Sequence, residues 1–191
     1  MPTTRKTISL KVESARKSSQ DGNGLEEMIC KIDPYLLRKL EVEAQFEQIP
    51  LGTLIENIIS DYSEWDLNAV RAGWIVFLRY ALKELLDVID EKTLSQIARR
   101  TADRTKFTRI TMTSNDNLKG FIAILYQRSK KSGFLVTQSS TRKYIIFKVE
   151  HEMGRAWSIF HKFMYERILE NVGHKSQIDY TESSLIIKIK R

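Results

Sequence analysis

The stretch Glu26-Glu27-Met28-Ile29-Cys30-Lys31-Ile32-Asp33-Pro34 alternates apolar Met28, Cys30 and Ile32 with more exposed positions. Asp33-Pro34 then stops the strand and opens a helix. That helix carries Leu36, Leu37, Leu40 and Ala44 on one stripe. After Gln48-Ile49-Pro50-Leu51-Gly52 a second helix carries Leu54, Ile55, Ile58, Ile59 and Tyr62. One short strand has nothing to pair with, and about forty residues cannot bury two apolar helix faces alone. The expected solution is a second copy whose strand pairs antiparallel with the first, making an obligate homodimer.

Residues 26–65 resemble the ribbon-helix-helix family, the Arc-like and methionine-repressor-like DNA-binding proteins whose two-stranded ribbon enters the major groove. The resemblance rests on the core-facing Met28, Cys30 and Ile32, the helix start at Asp33-Pro34, and Leu51-Gly52-Thr53-Leu54-Ile55 at the start of the second helix. It implies DNA contacts from the ribbon's outward Ile29 and Lys31 and from Thr53. The pattern departs from the family at two points. Glu27 faces a phosphate-rich surface unfavourably, and Pro50 has no N–H to hold a phosphate where members often place Ser or Thr.

A basic arm precedes the ribbon. Residues 1–25 hold Arg5, Lys6, Lys11, Arg16 and Lys17 against Glu13 and Asp21, and end in the polar run Ser18-Ser19-Gln20-Asp21-Gly22-Asn23-Gly24, which predicts a flexible segment able to follow a DNA backbone or enter the minor groove. A solubilising tail is the other reading of the same charges. Thr7-Ile8-Ser9-Leu10-Lys11-Val12 alternates cleanly and also reads as a strand that would widen the ribbon.

The whole chain, 191 residues with 42% hydrophobic and 29% charged side chains, has the composition of a globular protein, and its net charge of +7 suits an anionic partner without demanding one. A single cysteine, Cys30, excludes an internal disulfide and reads as a small core residue. The apolar run Trp74-Ile75-Val76-Phe77-Leu78 is cut off by Arg79, far short of the roughly 20 residues of a membrane span. A soluble cytoplasmic protein with no membrane partner is expected.

Residues 66–104 read as a helical connector. Gly73 breaks the second helix, and residues 74–78 form either a short buried strand or an apolar helix start. Ala81, Leu82, Leu85, Leu86 and Ile89 mark one amphipathic helix; Leu94, Ile97 and Ala98 mark another, ending in Arg99-Arg100. Residues 105–191 read as a separate α+β domain. Its expected elements are a strand at 107–113, a helix with Leu118, Phe121, Ile122 and Leu125, strands at 134–137 and 144–149, a helix with Trp157, Phe160, Met164, Ile168 and Val172, and a last strand at 180–189. That order, βαββαβ, predicts the ferredoxin-like arrangement, although other α+β sandwiches share it. A ribbon-helix-helix dimeriser joined to such a domain resembles the layout of nickel-responsive repressors and of regulators with amino-acid-binding domains. The stretch His151-Glu152-Met153-Gly154-Arg155-Ala156-Trp157-Ser158 resembles a segment of uncharacterised archaeal proteins of this layout, which implies no activity.

Catalytic patterns fail. His151-Glu152 begins like H-E-x-x-H, but position 155 is arginine, so no second imidazole follows one turn later; His161 shares a helical face with Trp157 and reads as a partly buried, hydrogen-bonded histidine rather than a metal ligand. No phosphate loop, paired cysteines or nucleophile elbow occurs, and neither enzyme activity, a cofactor nor a metal is expected. The junction of a strand end with Gly154 and a helix start instead suggests that His151 and Arg155 hold a small anionic ligand. The functional expectation is a homodimeric DNA-binding transcriptional regulator with a C-terminal sensory or interaction domain. The alternative is a non-enzymatic assembly module that dimerises without binding DNA.

Overall fold

The computed structural model describes residues 31–191, so the expectations for the basic arm and for Met28, Ile29 and Cys30 lie outside the described residues. The described residues divide into two compact units, one ending at Asp61 and one running from Tyr62 to Arg191.

In the first unit, helix α1 (Pro34–Phe46) begins as its sequence predicts: the Asp33 carboxylate accepts the N–H groups of Tyr35 and Leu36 at 2.8 and 3.3 Å, while Pro34 occupies a first turn that needs no donor. Helix α2 (Leu51–Asp61) follows Pro50, whose carbonyl accepts the Leu54 N–H at 3.1 Å. Two helices enclose little. Ala44 and Leu54 are the buried residues of the pair, whereas Leu36, Ile58 and Ile59 stand 46–49% exposed and Phe46 81%.

The second unit is a two-layer α+β structure. It opens with a π-helical turn (Tyr62–Asp66), the single turn α3 (Leu67–Ala69), and an irregular segment at 74–78 that leads to α4 (Arg79–Asp87). Helices α5 (Glu91–Thr113) and α6 (Leu118–Lys131) follow, then strands β1 (Leu135–Ser140) and β2 (Tyr144–Glu150), helix α7 (Arg155–Asn171), and strands β3 (Ser176–Tyr180) and β4 (Ser184–Lys190). The four strands form one antiparallel sheet in the order β1-β2-β4-β3. Phe147, Val149, Ile178, Leu185, Ile187 and Ile189 point from one face into a core completed by Ala98, Ala102, Phe121, Leu125, Trp157, Tyr165 and Leu169.

This is not the ferredoxin-like order. Residues 107–113, expected as a strand, are the end of α5, because the buried row Leu94, Ala98, Ala102, Arg109, Met112 keeps the helical spacing of three, four or seven across the whole element. Helix propagation against α7 overrides the β-branched local bias. The expected last strand is a hairpin, with Thr181 to Ser183 turning between β3 and β4. Residues 66–104 are no connector, since Ala98 and Ala102 are fully buried in the core of the second unit. Nor is 74–78 a buried strand: Ile75 and Val76 are 81% and 101% exposed.

Within the second unit, α6-β1-β2 and α7-β3-β4 instead form two copies of an α-β-β module, offset by forty residues. Gly133 and Gly173 both end their helices at positive φ, +66° and +84°, where a side chain would be strained. Phe134 N–H reaches Ser129 O and His174 N–H reaches Leu169 O, each at 2.8 Å. Thr141 and Thr181 cap equivalent hairpin turns, each hydroxyl accepting the N–H two and three residues on. The copies meet through β2 and β4, where Phe147 pairs with its own equivalent, Ile187. A pseudo-two-fold axis therefore passes through the sheet, and it also exchanges the bonds His151 N–H to Ser183 O (2.9 Å) and Arg191 N–H to Lys143 O (3.0 Å).

Helix α6 approaches the α5–α6 loop closely at Gly120, where an added Cβ would overlap the Asn115 carbonyl oxygen and lie 2.9 Å from Thr113 Oγ1. Alanine gains about 1 kcal/mol of helix propensity over glycine, but a backbone clash of this size costs about 1–3 kcal/mol. Gly120→Ala is therefore expected to destabilise the protein in denaturant titration; a gain in stability would show that the loop yields.

Candidate functional site

The helical layer of the second unit forms a half-open cavity of about 380 Å³, within the range of small-molecule sites. Its wall is mostly apolar and rich in rings, including Trp74, Phe121, Trp157, Phe160 and Tyr165. Both copies of the repeat contribute at equivalent positions: Phe121 and His161, Ile124 and Met164, Leu125 and Tyr165, Arg128 and Ile168. The duplication fixes where these side chains point, and the substitutions between copies make the cavity polar at one place.

That place is Arg128. Its Nη1 donates to the Tyr165 hydroxyl at 2.8 Å and its Nη2 to His161 Nε2 at 2.5 Å, while the guanidinium carbon lies 5.5 and 5.6 Å from the ring centres of Trp157 and Trp74. His161 is held as a neutral acceptor, because its Nδ1–H donates to Trp157 O at 2.9 Å, which leaves Nε2 free of a proton. Burial, then the Arg128 charge, pushes the His161 pKa well below its ordinary value, and burial raises that of Tyr165. Arg128 forms no salt bridge with a carboxylate among the described residues. Of the five guanidinium N–H donors, these contacts use two.

The other arginine of the cavity wall is neutralised. Arg109, 3% exposed, donates from Nε and Nη2 to Asp116 Oδ1 at 3.0 and 2.5 Å and from Nη1 to Thr105 Oγ1 at 2.9 Å. Burial opposes the Asp116 charge, but Arg109 and then Lys106 outweigh it and hold the carboxyl below its usual range. Among the described residues, Arg128 is thus the arginine of the cavity wall without a carboxylate at salt-bridge distance. The indole N–H of Trp74 is buried and has no hydrogen-bond partner among the described residues. Trp74, Leu82, Arg128 and Trp157 also line a neighbouring cleft of about 600 Å³, so the guanidinium stands on the wall the two spaces share.

His151 and Arg155 do not assemble the anion site expected of them. His151 is 1% exposed and both its nitrogens are engaged: Nδ1 accepts Met153 N–H at 3.0 Å, Nε2–H donates to Ser158 Oγ at 3.0 Å, and Ser158 Oγ–H donates to Thr181 O at 2.7 Å. Its ring packs on Trp157, centroids 4.1 Å apart, and Trp157 stacks on His161 at 3.6 Å. Arg155 lies outside, over Tyr180 and 3.8 Å from Glu91 Oε2. Lys31 and Thr53 are exposed; Arg5, Lys6, Lys11, Arg16, Lys17 and Ile29 lie outside the described residues. Arg128 escaped the sequence reading because Gln127-Arg128-Ser129-Lys130-Lys131 looks like an ordinary basic helix end. The repeat of Gly133 and Gly173 was the available signal, since it aligns Arg128 with the core residue Ile168.

Among the described residues no group of three or more His, Cys, Asp or Glu side chains can hold a metal, and no helix is long and apolar enough to cross a membrane. Comparison of the chain with protein-family models, curated proteins and solved structures finds no match.

Burial, and then the Arg128 charge, pushes the His151 pKa down to about 4, so the folded protein keeps this ring neutral where an unfolded chain binds a proton. The unfolded state gains protons below about pH 6.5, so stability falls as pH drops from there towards 4. For His151 the loss amounts to about 3 kcal/mol at 1.36 kcal/mol per pKa unit. His151→Gln is expected to lose stability at pH 7 yet to show a shallower decline between pH 6.5 and 4 in denaturant titrations. An unchanged decline would mean that His151 is not held neutral.

Proposed function

We propose that the protein is a homodimeric DNA-binding regulator whose C-terminal unit receives a small molecule. The observation that carries this reading is the ring-lined cavity with its uncompensated guanidinium, because an apolar enclosure with a few convergent polar groups is what small-molecule sites are made of. The DNA-binding half rests on the resemblance of residues 26–65 to the ribbon-helix-helix family and on the basic residues that precede them. The apolar side chains of Leu36, Ile58 and Ile59, about half exposed on the single chain, support a second copy as the surface that covers them.

The experiment is a salt titration of the full chain binding random and genomic DNA fragments, run beside sedimentation. The chain is expected to sediment as a dimer, and removing residues 1–24 is expected to flatten the salt dependence by roughly one unit of slope for each phosphate that the arm neutralises. Ile58→Ala separates monomer from dimer: at an exposed site it costs within about 0.5 kcal/mol, at a buried interface about 2–5 kcal/mol. A stable folded monomer at micromolar concentration would overturn the dimer. A dimer with no affinity for DNA would establish the alternative, an assembly module.

A further inference from the structure

The geometry points to an aromatic carboxylate as the occupant of this cavity: a planar apolar acid whose carboxylate lies on Arg128 and whose ring lies among the aromatic side chains of the wall. The inference rests on the reading of the cavity as a ligand site and adds the ligand's chemistry.

Charge decides the head group. Arg109 is matched by Asp116, and His161 and His151 are held neutral, so Arg128 sets the sign of the cavity. A cation would be repelled by it. A neutral apolar molecule would offer no acceptor to the donors that Arg128 has left beyond these two contacts, and a partly buried charge without an acceptor is costly. A carboxylate accepts two of those donors side by side, the pairing for which the planar guanidinium is suited. Tyr165 adds a further donor, because its oxygen accepts from Arg128 and its own O–H remains to be given. No carboxylate lines the cavity to compete for these donors, and its remaining hydroxyls are partly spent, Thr105 on Ala102 O and Thr108 on Ala72 O.

The wall decides the body. Trp74 and Trp157 lie within 6 Å of the guanidinium, and Phe121, Phe160 and Tyr165 line the same space. Ring edges and faces presented around one volume favour a flat aromatic guest over a flexible chain, which would also lose more rotational freedom on binding. The volume holds a fused two-ring acid.

The test is calorimetric titration of the full-length protein with 2-naphthoate, its neutral isostere 2-naphthamide, and decanoate. Naphthoate is expected to bind, the amide at least tenfold more weakly, and decanoate more weakly than naphthoate. In Arg128→Met the preference for acid over amide should vanish; in Arg128→Lys, which keeps the charge and loses the fork, it should shrink without disappearing. Circular dichroism confirms that each variant is folded, and the parent's acid-to-amide ratio tests the claim should either variant fail to fold. Amide binding equal to acid binding would overturn the carboxylate while leaving the cavity as a ligand site, and decanoate binding equal to naphthoate would overturn the aromatic body. If none of the three binds the folded parent, the ligand-site reading falls as well.

Discussion

A guanidinium cannot shed its charge, so wherever a helical layer half-buries one, the surrounding groups must supply acceptors. At Arg128 they are the neutral Nε2 of His161 and the hydroxyl of Tyr165, on successive turns of α7, and the flanking surfaces are the rings of Trp157 and Trp74. Much else follows from that choice. His161 must turn its Nδ1–H to Trp157 O to serve as an acceptor, the Trp157 indole is fixed by stacking on His161, and His151 packs on the other side of Trp157 with its own hydrogen bonds closed inside the fold. One cation thus orders a column of rings, and burial, reinforced by that cation, keeps two histidines neutral. No acid cancels it, which separates it from Arg109, a structural arginine on the same wall.

The duplicated module explains how such a site can be assembled from ordinary elements. Two copies of α-β-β bring two helices against one face of a four-stranded sheet in equivalent poses, so their inward positions converge on the same volume. In one copy these positions are Phe121, Leu125 and Arg128; in the other they are His161, Tyr165 and Ile168. Cation and acceptors thus come from different copies. The central strands β2 and β4, whose inward Phe147, Val149, Leu185, Ile187 and Ile189 are buried, remain a shared scaffold.

The sequence made much of this legible, element by element. Asp33-Pro34, Pro50 and the glycines at 133 and 173 mark helix ends through local chemistry, and the structure follows them. Strand β2 is visible as a β-branched run, Tyr144 to Val149. What misled was period. Residues 107–113 alternate like a strand, but the row that decides their state runs back to Leu94 and contains a buried arginine, which an apolar-pattern reading passes over. The turn at Thr181 to Ser183 has no Gly, Pro or Asn to announce it; its turn is made by a threonine hydroxyl, as at Thr141. The site was misread for a related reason. His151 and Arg155 are neighbours in sequence, whereas Arg128 meets His161 and Tyr165 across more than thirty residues, and sequence proximity carries no information about that meeting.

The central claim is that His161 is a neutral Nδ1–H tautomer whose Nε2 accepts from an uncompensated Arg128. Long-range nitrogen–proton correlation NMR of the histidine rings, recorded on the ligand-free protein from pH 7 to pH 5, reads it directly. One ring is expected to keep a bare Nε2 and a protonated Nδ1 throughout, well below the pH at which an ordinary histidine gains its second proton. An Nε2–H tautomer, or conversion of that ring to imidazolium above pH 6, would contradict it, because neither form can accept the Arg128 proton.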